Sequence, residues 1–119
     1  MTTVRSAKSK GAQMEYSVRD SLLPIIPDIL LTKEEGFIKQ FDLVSHTNKL
    51  AIEAKKHKGF SWNELVKLFK KLKSKAPDGY TSILIFQGNR QPCLIMKKGD
   101  TVMPFKKHFK TPFIVHNKR

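Results

Sequence analysis

Residues 41–56 run Phe41-Asp42-Leu43-Val44-Ser45-His46-Thr47-Asn48-Lys49-Leu50-Ala51-Ile52-Glu53-Ala54-Lys55-Lys56. Four polar residues, His46 to Lys49, separate two runs that alternate in polarity, so the segment predicts a β-hairpin in which Ser45 faces Leu50. Antiparallel pairing in that register sets Asp42 opposite Glu53 and Gln40 opposite Lys55, and four polar side chains converge on one face. The other face carries Phe41 and Leu43 against Leu50, Ile52 and Ala54, a surface for a helix to cover. The turn is not one of the two-residue Gly types, so cross-strand partners can slip while period two still keeps Glu53 and Lys55 together.

Upstream, Asp28 to Thr32 predicts a first strand, and the acidic turn Glu34-Glu35-Gly36 leads into the second, from Phe37 to Ser45. The third strand runs from Leu50 to Lys56. From Ala12 to Leu23 the spacing Met14, Val18, Leu22 predicts an amphipathic helix, with Glu15 at the rim of its apolar face and Pro24 ending it. Residues 1–10 carry Arg5, Lys8 and Lys10 with no acid and little to bury; they are expected to be a flexible basic arm before a single domain at 11–119. Downstream, Ser61 and Glu64 form a capping box. Trp62, Leu65, Val66, Phe69 and Leu72 then keep helical spacing to Lys75, where Pro77-Asp78-Gly79 stops it, and Trp62 and Phe69 are expected in the core. Ser82–Gln87 and Pro92–Lys97 predict two more strands around the turn Gly88-Asn89-Arg90-Gln91, apolar at their centres as strands covered on both faces are. The apolar residues Pro104-Phe105, Phe109 and Phe113-Ile114-Val115 belong to no clear element; they either cover a partner or complete the core. Helix, three strands, helix and further strands predict an α/β sandwich with a central mixed sheet.

A chain of 119 residues and 13.7 kDa holds one core, which excludes a multidomain enzyme. Lys and Arg outnumber Asp and Glu by 23 to 10, and a net charge of +13 on so small a surface calls for a polyanionic partner. The single cysteine, Cys93, excludes an internal disulfide and a cysteine zinc cluster and reads as a small buried hydrophobe. No apolar run reaches the roughly twenty residues a bilayer demands, so no membrane partner is expected and an intracellular, cytoplasmic setting follows.

Two ionised carboxylates at cross-strand distance repel unless a cation lies between them. Mg²⁺, with Mn²⁺ as a substitute, resolves the conflict between Asp42 and Glu53, because it binds through one or two carboxylates and recruits substrate phosphates. Gln40 can orient a water or a phosphate oxygen, and Lys55 can bring positive charge to the developing phosphorane or hold the attacking water. Together these residues describe phosphodiester hydrolysis. Glu15 either joins them through a second metal or a metal-bound water, or is a helix-surface acid paired with Arg19 four residues on. The hairpin acids and lysines likewise admit the plain alternative of a salt-bridged exterior.

Asp42, ten intervening residues and then Glu53-Ala54-Lys55, on a hairpin following a helix that bears Glu15, resembles the PD-(D/E)XK nuclease superfamily. Phe41 stands where the name-giving proline would be. The resemblance implies a restriction-endonuclease-like fold, Asp42 and Glu53 as side-chain ligands of Mg²⁺, the Ala54 carbonyl as a further ligand, and Lys55 assisting the nucleophilic water. Lys10-Gly11 followed by Glu15 also resembles the opening of the small, basic, dimeric Holliday junction resolving enzymes of archaea and phages, which implies a homodimer, a metal role for Glu15 and a function in DNA recombination and repair.

From Lys49 to Lys75 there are nine lysines and two acids, and Lys67, Lys70, Lys71 and Lys73 lie on the non-core side of the second helix as a phosphate rail. Lys56, His57 and Lys58 follow the hairpin closely enough to flank the cut, and Arg90 sits in a strand-to-strand turn. Such contacts position a backbone without reading bases, so duplex shape or branching is the expected cue. The sequence thus supports a Mg²⁺-dependent endonuclease that resolves four-way junctions. Its alternatives are a less selective DNA endonuclease or nickase of the same fold and a noncatalytic nucleic-acid-binding protein.

Overall fold

The computed structural model describes residues 3–35, 41–98 and 100–115, with side chains from Gln13 onward. Its six strands form one mixed sheet in chain order: β1 (Leu30–Leu31), β2 (Leu43–Ser45), β3 (Leu50–Lys56), β4 (Thr81–Gln87), β5 (Leu94–Lys98) and β6 (Thr101–Pro104). Neighbours are antiparallel except β3 and β4, which run parallel and are joined by a crossover through α3 (Trp62–Lys75). Three more helices complete the described chain: α1 (Thr3–Leu22), α2 (Thr32–Glu35) and α4 (Phe105–Phe109).

β4 needs no alternation of polarity because both its faces are covered. Ile83 and Ile85 join Met14, Val18 and Leu22 of α1 on one side, together with Leu43, Ile52, Ala54 and Ile95. Leu84 and Phe86 face Leu65 and Phe69 of α3 with Met96 on the other. A sheet between helices follows, as the sequence predicts. The ends of α3 are also where the sequence sets them: the Ser61 hydroxyl accepts from the Glu64 N–H at 3.1 Å and the Glu64 carboxylate accepts from the Ser61 N–H at 3.4 Å.

Several expectations are corrected. α1 opens at Thr3 rather than Ala12. The first strand contracts to Leu30–Leu31, and Thr32 to Glu35 turn as α2 where an acidic turn was expected. Trp62 is 50% exposed, since the first turn of α3 overhangs the sheet and Leu65 is the first residue of the helix to be buried. Phe105 is completely buried, with Phe109 and Phe113 packed on it at ring-centroid distances of 4.8 and 5.1 Å, so this aromatic group completes the monomer core. Cys93 lies in the same core, where burial pushes its thiol up to about 12. Among the described residues no helix is long and apolar enough to cross a membrane.

The hairpin itself pairs Leu43 with Ile52, Val44 with Ala51 and Ser45 with Leu50, the expected register, around the expected turn 46–49. Lys49 closes that turn at φ 52, and Arg90 and Lys110 adopt the same left-handed backbone at φ 58 and 56. The ladder stops at Leu43, however, and Phe41 leaves the face predicted for it. It packs with Val44, Ala51 and Leu72 on the α3 side, because residues 41 and 42 form a bend in which period-two alternation no longer holds.

Candidate functional site

The bend at residues 41–42 fixes Asp42. Its N–H donates to the Ile52 carbonyl at 3.0 Å instead of extending the Leu43–Ile52 rung, and its own carbonyl accepts from the Thr32 N–H at 2.9 Å. The buried Thr32 hydroxyl donates to the neighbouring Phe41 carbonyl. Asp42 Oδ2 then accepts the Ala54 N–H at 2.9 Å. A strand N–H points in the plane of the sheet, so the carboxylate takes the place a backbone carbonyl of β2 would have had if the ladder had continued. Asp42 is thereby held against residues 52–54 of β3 and not squarely opposite Glu53, which corrects the predicted register beyond Leu43. Gln40, predicted opposite Lys55, lies outside the described residues.

Glu53 and Lys55 emerge together on the α3 side of β3, as period two requires, and Glu53 Oε2 lies 3.3 Å from Lys55 Nζ. They line a depression of about 60 Å³ whose far wall is Leu68, Lys71, Leu72 and Lys75 of α3. Lysines from two elements thus surround the glutamate. Sequence periodicity places Lys71 on the helix surface; that it and Lys75 border the same depression as Glu53 depends on the packing of α3 on β3, which no local pattern reports. Glu15 is largely buried on α1, with Lys33 Nζ 3.8 Å from its Oε1, while Arg19 pairs with Asp20 at 3.0 Å and Glu34 at 3.8 Å. Among the described residues no three of His, Cys, Asp and Glu form a group able to hold a metal ion, so Glu15, Asp42 and Glu53 are not drawn into one three-acid cage.

Four of the predicted phosphate contacts come together at the carboxyl ends of the parallel strands. Lys56 Nζ donates to Gln87 Oε1 at 3.3 Å, the His57 N–H to the Gln87 carbonyl at 3.3 Å, and the Asn89 N–H to the Lys58 carbonyl at 3.2 Å. These bonds tie the 56–58 segment to the β4–β5 turn that bears exposed Arg90. The His57 ring stacks on Phe60 at 4.7 Å, and its Nδ1 lies 3.4 Å from Glu64 Oε2. Lys67, Lys70 and Lys71 are exposed along α3. The side chains of Arg5, Lys8 and Lys10 lie outside those described.

A residue not singled out by the sequence holds the hairpin in place from below. Asp28 accepts from the Thr47 N–H at 2.9 Å and from the Ser45 hydroxyl at 2.7 Å, and these bonds, that from Thr47 foremost, hold its carboxyl below the usual range. A carboxyl depressed on folding contributes stability above its unfolded value, near about pH 4, and loses it as pH falls through the folded value. Asp28→Asn is therefore expected to lower the thermal midpoint at neutral pH and to converge on the parent once the pH has fallen through the lowered folded-state value of the Asp28 carboxyl. Water still reaches this half-buried group, so the difference is expected to stay below about 1 kcal/mol. Parallel melting curves from pH 2.5 to 7 check it, and a gap that widens in acid would contradict it.

The residues around Asp42 and Glu53 suit a hard divalent cation. They offer one carboxylate from the bend before β2 and one from β3, with the backbone of Ala54 next to Glu53, and all the donors are oxygen. Glu53 and Lys55 stand together in the structure, and Asp42 is bonded to the N–H of Ala54 between them in the chain. No protein-family model, curated protein or solved structure matches the chain.

Proposed function

We propose that this protein is a Mg²⁺-dependent, structure-selective endonuclease of the restriction-endonuclease-like fold that cuts branched DNA, in the manner of a Holliday junction resolving enzyme. One observation supports the proposal: the carboxylate of Asp42 accepts from the amide of Ala54, the residue between Glu53 and Lys55 in the chain, in a protein of net charge +13. Order and direction of the elements add support, since a helix, an antiparallel hairpin and a helical crossover to a parallel strand surround the same residues.

Asp42, Glu53 and the Ala54 carbonyl would hold the ion, and a bound divalent ion supplies charge neutralisation and water activation for phosphodiester hydrolysis. Lys55 contributes a fixed positive charge beside the scissile phosphate. Lys56, His57, Lys58 and Arg90 seat the flanking backbone, and the α3 lysines carry the strand across the sheet. A twofold dimer would bring two such sites to opposing strands of a junction. The exposed apolar residues Leu23, Ile25, Ile114 and Val115 offer it a surface, with the Ile114 N–H bonded to the Ser21 hydroxyl at 2.7 Å.

A noncatalytic nucleic-acid-binding protein is the second reading. The Glu53–Lys55 ion pair favours it, because it balances the acid without a metal. The two separate on a fixed four-way junction and an equal-length duplex, each incubated with Mg²⁺ and with chelator. Metal-dependent cutting of the junction with little cutting of the duplex is expected. Equal cutting of both rejects junction selectivity, and binding without any cutting establishes the second reading.

A further inference from the structure

On the opposite flank of α3 lies a cavity of about 390 Å³ that none of the residues assigned to DNA cleavage lines. Phe69 and Lys73 of α3, Thr81 and Ser82 of β4, and Lys97 and Lys98 of β5 contribute to its walls. The helix therefore divides two lysine-lined depressions: Lys71 and Lys75 border the one at Glu53, and Lys73 borders the other.

Two adjacent lysines on a regular strand would point to opposite faces of the sheet. Here the register between β5 and β6 shifts between Met96 and Lys98, a bulge that re-aims the strand, and both Lys97 and Lys98 line the cavity. Asp78 is the single carboxylate among the lining residues, against three lysines, a formal excess of two positive charges to which Lys97, whose charge also acts on His108, contributes from the rim. Ser82 stands on the α3 face of β4 with Leu84 and Phe86 and adds a hydroxyl able to donate to anionic oxygen. A water occupies about 30 Å³ of liquid, so the cavity has room for a phosphate together with the sugar that bears it.

We infer that this cavity is a second anion site, built for a phosphate monoester: a dianion for two surplus cationic charges. The group can come from the end of a nucleic-acid strand or from a free nucleotide, and the inference goes beyond the cleavage function because it requires neither metal nor Asp42.

The test is titration of the full chain, without divalent metal and at low salt, with inorganic phosphate, with dAMP, and with a short oligonucleotide carrying either a 5′-phosphate or a 5′-hydroxyl. Binding is read from backbone amide shifts. Saturable shifts at Thr81, Ser82 and Lys98 are expected. The double variant Lys73→Ala, Lys98→Ala should weaken dAMP by about tenfold or more, and the charge-matched pair Lys106→Ala, Lys107→Ala, outside the cavity, by less than about twofold. Preference for the 5′-phosphorylated over the hydroxyl-ended strand assigns the site to strand ends; equal affinity of the two strands with tight dAMP binding assigns it to free nucleotides. Equal loss in both double variants, or no shift at the cavity with any phosphate, overturns the inference. Unchanged circular dichroism of the variants shows that a loss is not unfolding.

Discussion

Asp42→Asn and Lys55→Ala are expected to bind a four-way junction as tightly as the parent and to cut it at least about 10²-fold more slowly. Asn keeps an oxygen in place to accept the Ala54 N–H, which in the parent is bonded to Asp42 Oδ2 at 2.9 Å, so the bend at residues 41–42 survives. What Asn lacks is the negative charge that would hold a divalent ion. Lys55 is a third exposed and contacts Glu53 at 3.3 Å; Ala there removes a positive charge from the reacting phosphate with little cost to folding. The measurement is single-turnover cleavage beside a binding isotherm in chelator. Parent-like cutting by both variants would remove Asp42 and Lys55 from the site, whereas loss of binding in step with cutting would show that they act only in holding DNA.

Raising salt from 50 to 200 mM is expected to weaken DNA binding by roughly 10³ to 10⁵ for a footprint of about 6 to 10 phosphates. The footprint fits the surface available: Lys67, Lys70 and Lys71 are exposed along α3, and Lys56, His57, Lys58 and Arg90 gather at the end of β3 and β4. Each ammonium that meets a phosphate releases condensed counterion, so the slope of log affinity against log salt counts the contacts. Lys70→Ala should reduce that slope by about one and weaken junction and duplex alike. A slope near zero would show that the excess positive charge serves something other than nucleic acid.

Much of the frame was legible because it is governed locally. The capping box at Ser61 and Glu64 and the breaker at Pro77 bound α3 to the residue, and the run from Leu50 to Lys56 carries its own period. The Glu53–Lys55 pairing follows from that period alone. Asp42 was legible as a residue but not as a geometry. Its seat is made by Thr32, which clamps the Phe41 and Asp42 backbone from another element and ends β2 early, so Phe41 changes face. β6 and α4 escaped notice for a different reason. Pro104 is tolerated at the end of an edge strand, and a helix as short as Phe105–Phe109 has no periodicity to display. Trp62 fits the helical stripe and still faces water, since the stripe does not say where the sheet beneath it ends.

The turns at Lys49, Arg90 and Lys110 share a property that bears on any attempt to improve the molecule. A side chain in left-handed backbone costs roughly 1 kcal/mol that glycine does not incur. Selection for heat resistance alone would accordingly enrich glycine at all three, and each gain would strip a cation from a loop tip. Robustness and positive surface charge are set against each other at the same three codons, so libraries sorted only on melting temperature will drift toward hardier but less basic proteins.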